Sequence, residues 1–173
     1  MTTIVSSTNR NDSNSLVLAK YYQKLLAEKG LEANILCLTQ LPEMLISSDL
    51  YGKRSPQFQK IQDVVTATQK FLFIIPEYNG SFPGILKLFI DCCKFPESFK
   101  DKKAALVGIS DGKYGNIRGI EHFTGICHYI GLQVMSTKLH IPAIGKDLDE
   151  NGNPTDESTI KFVNDQCDKF IKF

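Results

Sequence analysis

Apolar positions along this chain follow two alternating patterns. Five short runs are nearly continuous in apolar residues: Thr3-Ile4-Val5, Ile35 to Leu38, Phe71 to Ile75, Ala104 to Ile109 and Leu132 to Met135. Runs of this length bounded by polar or turn residues read as strands buried on both faces. Between them, apolar residues recur at steps of three and four, as in Leu18, Tyr22 and Leu25, or Phe58, Ile61 and Val65. The same period appears in Ile117, Ile120, Thr124 and Cys127, and again in Ile160, Val163, Cys167 and Phe170. Each set places one apolar stripe on a helix. Ile85 to Asp91 reads as a further, more deeply buried helix. Pro56 and Pro83 stand where helices open, and Gly30 and Gly131 where they close.

Strand and helix alternate five times, which predicts a parallel sheet with right-handed crossovers and helices on both faces. No repeat or low-complexity linker interrupts the pattern, so residues 1–173 are expected to form a single doubly wound α/β domain. Five strands favour the flavodoxin-like order 2-1-3-4-5. Its ligand crevice lies beyond the carboxyl ends of the first and third strands, where the strand order reverses. Two stretches lie outside the alternation, Thr39 to Ser55 and Leu139 to Thr155. Both read as variable loops that shape a pocket or a subunit contact.

Composition narrows the function classes. Lys and Arg total 20 against 19 for Asp and Glu. With no basic stripe, the charge footprint of a nucleic-acid binder is missing. No apolar stretch approaches a membrane span, and the start lacks the basic and apolar regions of a signal peptide. The five cysteines are scattered and form no C-x-x-C pair. They read as reduced core residues, with a cytoplasmic location the simplest expectation. The adjacent Cys92 and Cys93 would point apart on a helix, against a redox pair.

Two loops at the expected switch point carry the chemistry. The first, Ser6 to Ser15, is dense in hydroxyls and amides, contains Arg10, and ends where a helix begins. Hydroxyls, a guanidinium and the free N–H groups of a helix N-terminus suit a phosphate. The same residues would also serve an ordinary helix cap, for which Ser13 or Ser15 suffices. The second is Pro76-Glu77-Tyr78-Asn79-Gly80-Ser81-Phe82-Pro83-Gly84. Its prolines stiffen it and its glycines let backbone N–H groups approach a flat ligand. A third loop, Ser110-Asp111-Gly112-Lys113-Tyr114-Gly115, leaves the fourth strand towards the same crevice.

The Pro-Glu-Tyr-Asn loop, continuing into a Leu-Lys-x-x-x-Asp helix, closely resembles that of the NAD(P)H-dependent FMN reductases. This flavodoxin-like family includes quinone, azo-dye and chromate reductases. The resemblance implies an oxidoreductase that passes reducing equivalents from NAD(P)H through FMN to quinone-, azo- or flavin-type small-molecule acceptors. It implies that Thr8, Arg10, Ser13, Asn14 and Ser15 hold the FMN phosphate. Pro76, Glu77, Tyr78, Asn79 and Gly80 would line the isoalloxazine, with backbone groups of Glu77 to Gly80 donating to it. Ser110, Gly112 and Gly115 would meet the flavin's far edge, or else belong to a solvated loop with capping glycines. No side chain is nominated as catalytic. The family's first loop is close to Gly-Ser-x-Arg-x-x-Ser-x-Asn. Here Ser7, Thr8 and Ser15 stand at its Gly, Ser and Asn positions, while Arg10 and Ser13 match. Losing that Gly is harmless provided Ser7 needs no positive φ. Family members commonly assemble as dimers or tetramers, and the apolar Ile85 to Phe95 helix is either a contact for such assembly or a helix buried within the monomer.

Other signals are weaker. No G-x-x-x-x-G-K-[ST] or G-x-G-x-x-G occurs, so a nicotinamide is expected as a transient hydride donor. Asp147 to Gly152 imitates a calcium loop, but Ser158 replaces the bidentate Glu and Pro154 interrupts it. His122, His128 and His140 form no metal pattern, and no metal is expected. Two other classes remain open: a flavodoxin-like electron carrier, and a flavin-free binding module. The balanced charge and the Arg-bearing loop argue against the carrier.

Overall fold

A computed structural model describes residues 1–173. In chain order the elements are β1 (Thr2–Ser6), α1 (Asn14–Glu28), β2 (Asn34–Cys37), α2 (Leu45–Ser48), α3 (Pro56–Ala67), β3 (Lys70–Pro76) and α4 (Gly84–Cys92). There follow β4 (Lys103–Ile109), α5 (Ile117–Tyr129), β5 (Gln133–Val134), β6 (Leu139–Ile141), α6 (Ile144–Asp147) and α7 (Glu157–Lys172). The strands pair in the order β2-β1-β3-β4-β5, all parallel, with β6 also on β4.

The central strands divide their side chains between two cores. In β3, Phe71, Phe73 and Ile75 enter one core, while Leu72 and Ile74 enter the other. In β4, Leu106 joins the first and Val107 the second. This is the period-two pleat of a sheet covered on both faces. The first core receives Phe58, Ile61 and Val65 of α3, Leu86 and Phe89 of α4, and Ile120, Phe123 and Cys127 of α5. The second receives Leu18, Ala19, Tyr22 and Leu26 of α1 with Val163, Cys167 and Phe170 of α7. Phe73 packs edge-on against Phe123 with centroids 5.1 Å apart. Truncating such a fully buried ring costs ~3–5 kcal/mol.

Helix ends follow from their sequences. Ser55 caps α3, its Oγ accepting from the Phe58 N–H at 3.1 Å, and Pro56 opens the helix. Asp156 caps α7 through the Thr159 N–H at 2.9 Å. The fully buried Asp49 holds the approach to α3, its Oδ1 accepting from Ser55 N–H at 2.5 Å and its Oδ2 from Ser55 Oγ at 3.1 Å.

Four expectations need revision. The fifth sheet position is not one strand from Leu132 to Met135. It is split into β5 and β6, which pair with the beginning and end of β4. Leu139-His140-Ile141 is therefore sheet and not loop. Thr39 to Ser55 contains the single turn α2 and buries Leu45 and Asp49. Within α5, Ile117 is turned outwards and stays exposed, because the buried face carries Gly119, Ile120, Phe123, Thr124 and Cys127.

Candidate functional site

The carboxyl ends of β1, β3 and β4 open into a cleft of about 440 Å³. From the loop after β1 it is lined by Thr8, Arg10, Asn11, Asp12, Ser13, Asn14 and Ser15. From the loop after β3 come Pro76, Glu77, Tyr78 and Asn79. Ile109, Ser110 and Asp111 close the side after β4, with Ile144 of α6 beneath.

The first loop is ordered by a chain of hydroxyls. Ser6 Oγ donates to Ser15 Oγ at 3.2 Å, and Ser15 Oγ to Ser13 Oγ at 3.1 Å. Ser13 caps α1, its Oγ accepting from the Leu16 N–H at 3.3 Å. The capping role is thus real, yet it leaves a set of donors open. Within the chain no acceptor takes the N–H groups of Asn9, Asn11, Asp12 or Ser13. The N–H groups of Asn14 and Ser15 belong to the first helical turn and have no intrahelical partner. Donors converging on a helix N-terminus make an anion site. Arg10 adds an exposed guanidinium. Ser7, in the position usual for Gly, is buried and is not among the positive-φ residues, so its side chain is tolerated.

The second loop is a tight turn. Tyr78 and Ser81 exchange backbone hydrogen bonds of 2.8 and 3.0 Å across Asn79 and Gly80. Both central residues have positive φ, 51° and 76°, which an Asn-Gly pair accepts at low cost. The N–H of Glu77 is bound to Ile109 O at 2.9 Å, and that of Tyr78 to Ser81 O. Only Asn79 and Gly80 therefore keep N–H groups free of an internal acceptor, fewer than the four residues expected to donate. Tyr78 Oη and Thr8 Oγ1 lie 2.6 Å apart. That bond ties the two switch-point loops together.

The third loop is more structural than expected. Ser110 lines the cleft, but its Oγ donates to Gly112 O and accepts from Gly115 N–H, both at 3.0 Å. Gly112 and Gly115 stand outside the lining. Gly115 has φ +54°, and a Cβ there would come within 2.5 Å of the His140 backbone. Its role in this fold is to let the loop lie on β6. Gly80 also stands outside the lining, beneath Arg118.

Sequence reasoning passed over several contributors. Asn116 caps α5 in a left-handed conformation, fully buried, with Nδ2 donating to Ile75 O at 3.0 Å. It fastens α5 to the carboxyl end of β3. Arg118 reaches back from α5, its Nη2 3.4 Å from Glu77 Oε1. Asn11, Asp12 and Asp111 complete the rim. An Asn preceding a helix is a visible capping signal, whereas no local pattern marks Arg118. The cysteines are not part of the site. Burial pushes the Cys92 thiol up to about 11 and Cys127 and Cys167 to about 12, keeping all three protonated.

The description NADPH-dependent FMN reductase matches residues 2–145 of this chain. The chain belongs to that family. Among solved structures, the flavoenzyme NAD(P)H:(acceptor) oxidoreductase FerB of Paracoccus denitrificans superposes with a TM-score of 0.81. It is 30% identical, covering 99% of this chain and 94% of its own. A 2-hydroxy-1,4-benzoquinone reductase of a Burkholderia species is 32% identical over 103 residues, 57% of this chain and 56% of that protein. The chain thus spans little more than half the length of that relative. A Pseudomonas aeruginosa NAD(P)H-dependent FMN reductase is 25% identical over 145 residues, 82% of this chain and 77% of its own. An archaeal flavodoxin, 13% identical with a TM-score of 0.65, shares the fold.

The cleft of this FMN reductase family member suits a flavin mononucleotide on its own evidence. Unclaimed N–H groups and Arg10 gather at one end, where a phosphate would bind. The free N–H of Asn79 lies on the loop after β3 that lines the same cleft, where a flat polar ring edge would bind, with the free N–H of Gly80 just outside that lining. Asp12, Glu77 and Asp111 also line the cleft, and their negative charge opposes a phosphate bound beside them. Glu77 is already drawn towards Arg118.

Proposed function

We propose that the protein is an NAD(P)H-dependent oxidoreductase whose 1–173 chain forms one FMN-binding domain and reduces small-molecule acceptors of the quinone, azo or flavin type. The observation that carries this is the Thr8–Tyr78 bond, which joins an anion-binding loop to a turn with two free N–H groups at the switch point. Family membership supports the same reading.

In this reading the first loop binds the phosphate through the N–H groups of Asn11 to Ser15, the hydroxyls of Thr8 and Ser13, and Arg10, with the Ser15 hydroxyl holding Ser13 in place. The chemistry FMN supplies is two-electron transfer between a nicotinamide and an acceptor. The chain's own residues bind and orient. Asn79 and Gly80 present their N–H groups to the ring edge, where donors favour added negative charge. Pro76 and Ile109 wall the ring from below, and Ser110 borders its far edge. Gly112 and Gly115 support that border through the loop bonds of Ser110. The opposite face is left open to solvent for donor and acceptor in turn. A quinone that gains a hydride equivalent takes its second proton from water, so no protein acid is required.

The unpaired thiols, four of them buried and Cys93 half-buried, support a reducing cytoplasmic setting. A homodimer or homotetramer is proposed from the exposed apolar residues Met44, Ile46 and Tyr51 of the segment after β2, of which Met44 and Ile46 line a second hollow that shares Asn11 with the cleft. No helix is long and apolar enough to cross a membrane.

The test is an absorption titration with FMN followed by anaerobic NADH or NADPH. A bound flavin spectrum that bleaches, and recovers on adding a quinone, is the expected outcome. Binding without bleaching would indicate an electron carrier, and no binding would refute the reading of both loops.

A further inference from the structure

Beside the main cleft lies a smaller hollow of about 170 Å³, lined by Glu77, Tyr114, Ile117 and Arg118. Glu77 borders both. Tyr114 is 66% exposed and Ile117 47%, so two large apolar side chains stand in water at this point. Arg118 ends the shelf they form. Its guanidinium has five donors, and the chain supplies one ionic contact, 3.4 Å from Nη2 to Glu77 Oε1. Nε and Nη2 also lie 3.6 Å from where a Cβ on Gly80 would stand, directly above the turn with the free N–H groups. The shelf sits on the first turn of α5, whose positive dipole end adds to the Arg118 charge. An apolar ledge, a cation with most of its donors unused, and the mouth of the cleft therefore meet in one place.

We propose that this hollow is the acceptor-recognition subsite, and that it takes a single six-membered ring bearing an anionic substituent. The ring lies on Tyr114 and Ile117, and the anion pairs with Arg118 in competition with Glu77. The assignment of an acceptor rests on the reductase reading above; the binding of a ring and an anion does not. Size argues for one ring, since a cavity of roughly 150 Å³ accommodates a benzene and a fused system would overhang. Charge argues for an anion, because a guanidinium forms its strongest hydrogen bonds with carboxylate, sulfonate-like or phosphate oxygens. A nucleotide phosphate offers the same charge. The acceptor is favoured because the subsite abuts the Asn79–Gly80 turn, where the electrons must be delivered.

The direct test is a titration of the purified protein with benzenesulfonate, a redox-inert ring and anion, read by NMR. Wild type should bind. Arg118→Gln should bind about tenfold more weakly, and Tyr114→Ala should also weaken binding. Glu77→Gln should bind more tightly, having lost the competing carboxylate. Lys172→Gln removes the same charge from the exposed end of α7 and should match wild type. Equal binding by wild type and Arg118→Gln, or weaker binding by Glu77→Gln, overturns the subsite. With FMN and NADH supplied, the ratio of kcat/KM for 1,4-benzoquinone-2-sulfonate over 1,4-benzoquinone should fall about tenfold in Arg118→Gln. If the NADPH-over-NADH ratio falls while the quinone ratio holds, the anion belongs to the nucleotide and the acceptor assignment is overturned. Failure to oxidise any nicotinamide sinks the reductase reading and the acceptor role together, while the benzenesulfonate titration still decides the ring-and-anion site.

Discussion

Thr8→Val isolates the bond that joins the two switch-point loops. Valine keeps the shape of threonine and removes the hydroxyl, which lies 2.6 Å from Tyr78 Oη and accepts from Arg10 N–H at 3.3 Å. Thr8 is fully buried, but Tyr78 is half-buried and Arg10 exposed, so both lost partners regain water. The stability cost is then that of one neutral hydrogen bond, ~0.5–1.5 kcal/mol. The cost to FMN should be larger. The phosphate loses a donor, and the loops lose their mutual register, together ~1–3 kcal/mol or roughly five- to a hundredfold in Kd. Tyr78→Phe breaks the same bond and leaves the Thr8 hydroxyl for the phosphate, so it should weaken FMN less. Quenching of FMN fluorescence measures the affinities, and urea unfolding the stabilities. The double variant should show a coupling of ~0.5–1.5 kcal/mol in both. Unchanged affinity in Thr8→Val, or strictly additive effects, would refute the claim that this bond aligns the site.

Further outcomes are expected elsewhere. Arg10→Ala should weaken FMN by ~1.5–3 kcal/mol at most, with an unaltered urea midpoint, because the side chain is exposed in the free protein. Gly115→Ala should destabilise by more than ~1 kcal/mol, since it adds both a positive-φ penalty and a clash with the His140 backbone, read as a lowered Tm. Ser55→Ala should cost ~1 kcal/mol in urea unfolding by uncapping α3. Raising pH should destabilise the fold. The Cys92, Cys127 and Cys167 thiols ionise near 9 when unfolded but only at about 11 to 12 when folded. Between those values the folded chain holds more protons, so this stability is complete below pH 9 and is lost as pH climbs towards 12. Burial lowers Lys70 and Lys102 and opposes the trend, but the thiols and the buried Tyr22 outnumber them. A urea midpoint at pH 10.5 equal to that at pH 8 would contradict this.

The architecture was legible because buried parallel strands announce themselves as apolar runs, and Phe71 to Ile75 or Ala104 to Ile109 leave no other assignment. The switch-point loops were legible through chemistry: an Arg among hydroxyls, and an Asn-Gly pair between prolines. β6 was not, because three residues ending before Pro142 carry no period, and only their pairing with Val107 to Ile109 makes them a strand. The distinction between free and engaged N–H groups at Glu77 to Gly80 was equally hidden. It depends on Ile109 O of the neighbouring strand. Gly115 read as loop flexibility, yet the approach of His140 fixes it, a long-range contact that no local pattern encodes. Arg118 was missed since its meaning comes from Glu77 and Gly80, far away in sequence.

The split at the fifth sheet position has a consequence for the protein's behaviour in crowded solution. The inner strands β3 and β4 run for seven residues each, while the outermost segments are Asn34–Cys37 at one edge and Gln133–Val134 with Leu139–Ile141 at the other. A free edge is a template for edge-to-edge growth, and its hazard rises with unbroken length. Here one edge is four residues long and the other is interrupted between Val134 and Leu139. Neither offers an incoming chain a long row of backbone groups. Assembly is thereby steered away from sheet extension, which leads to fibres, and towards contacts between helices and loops, which can close.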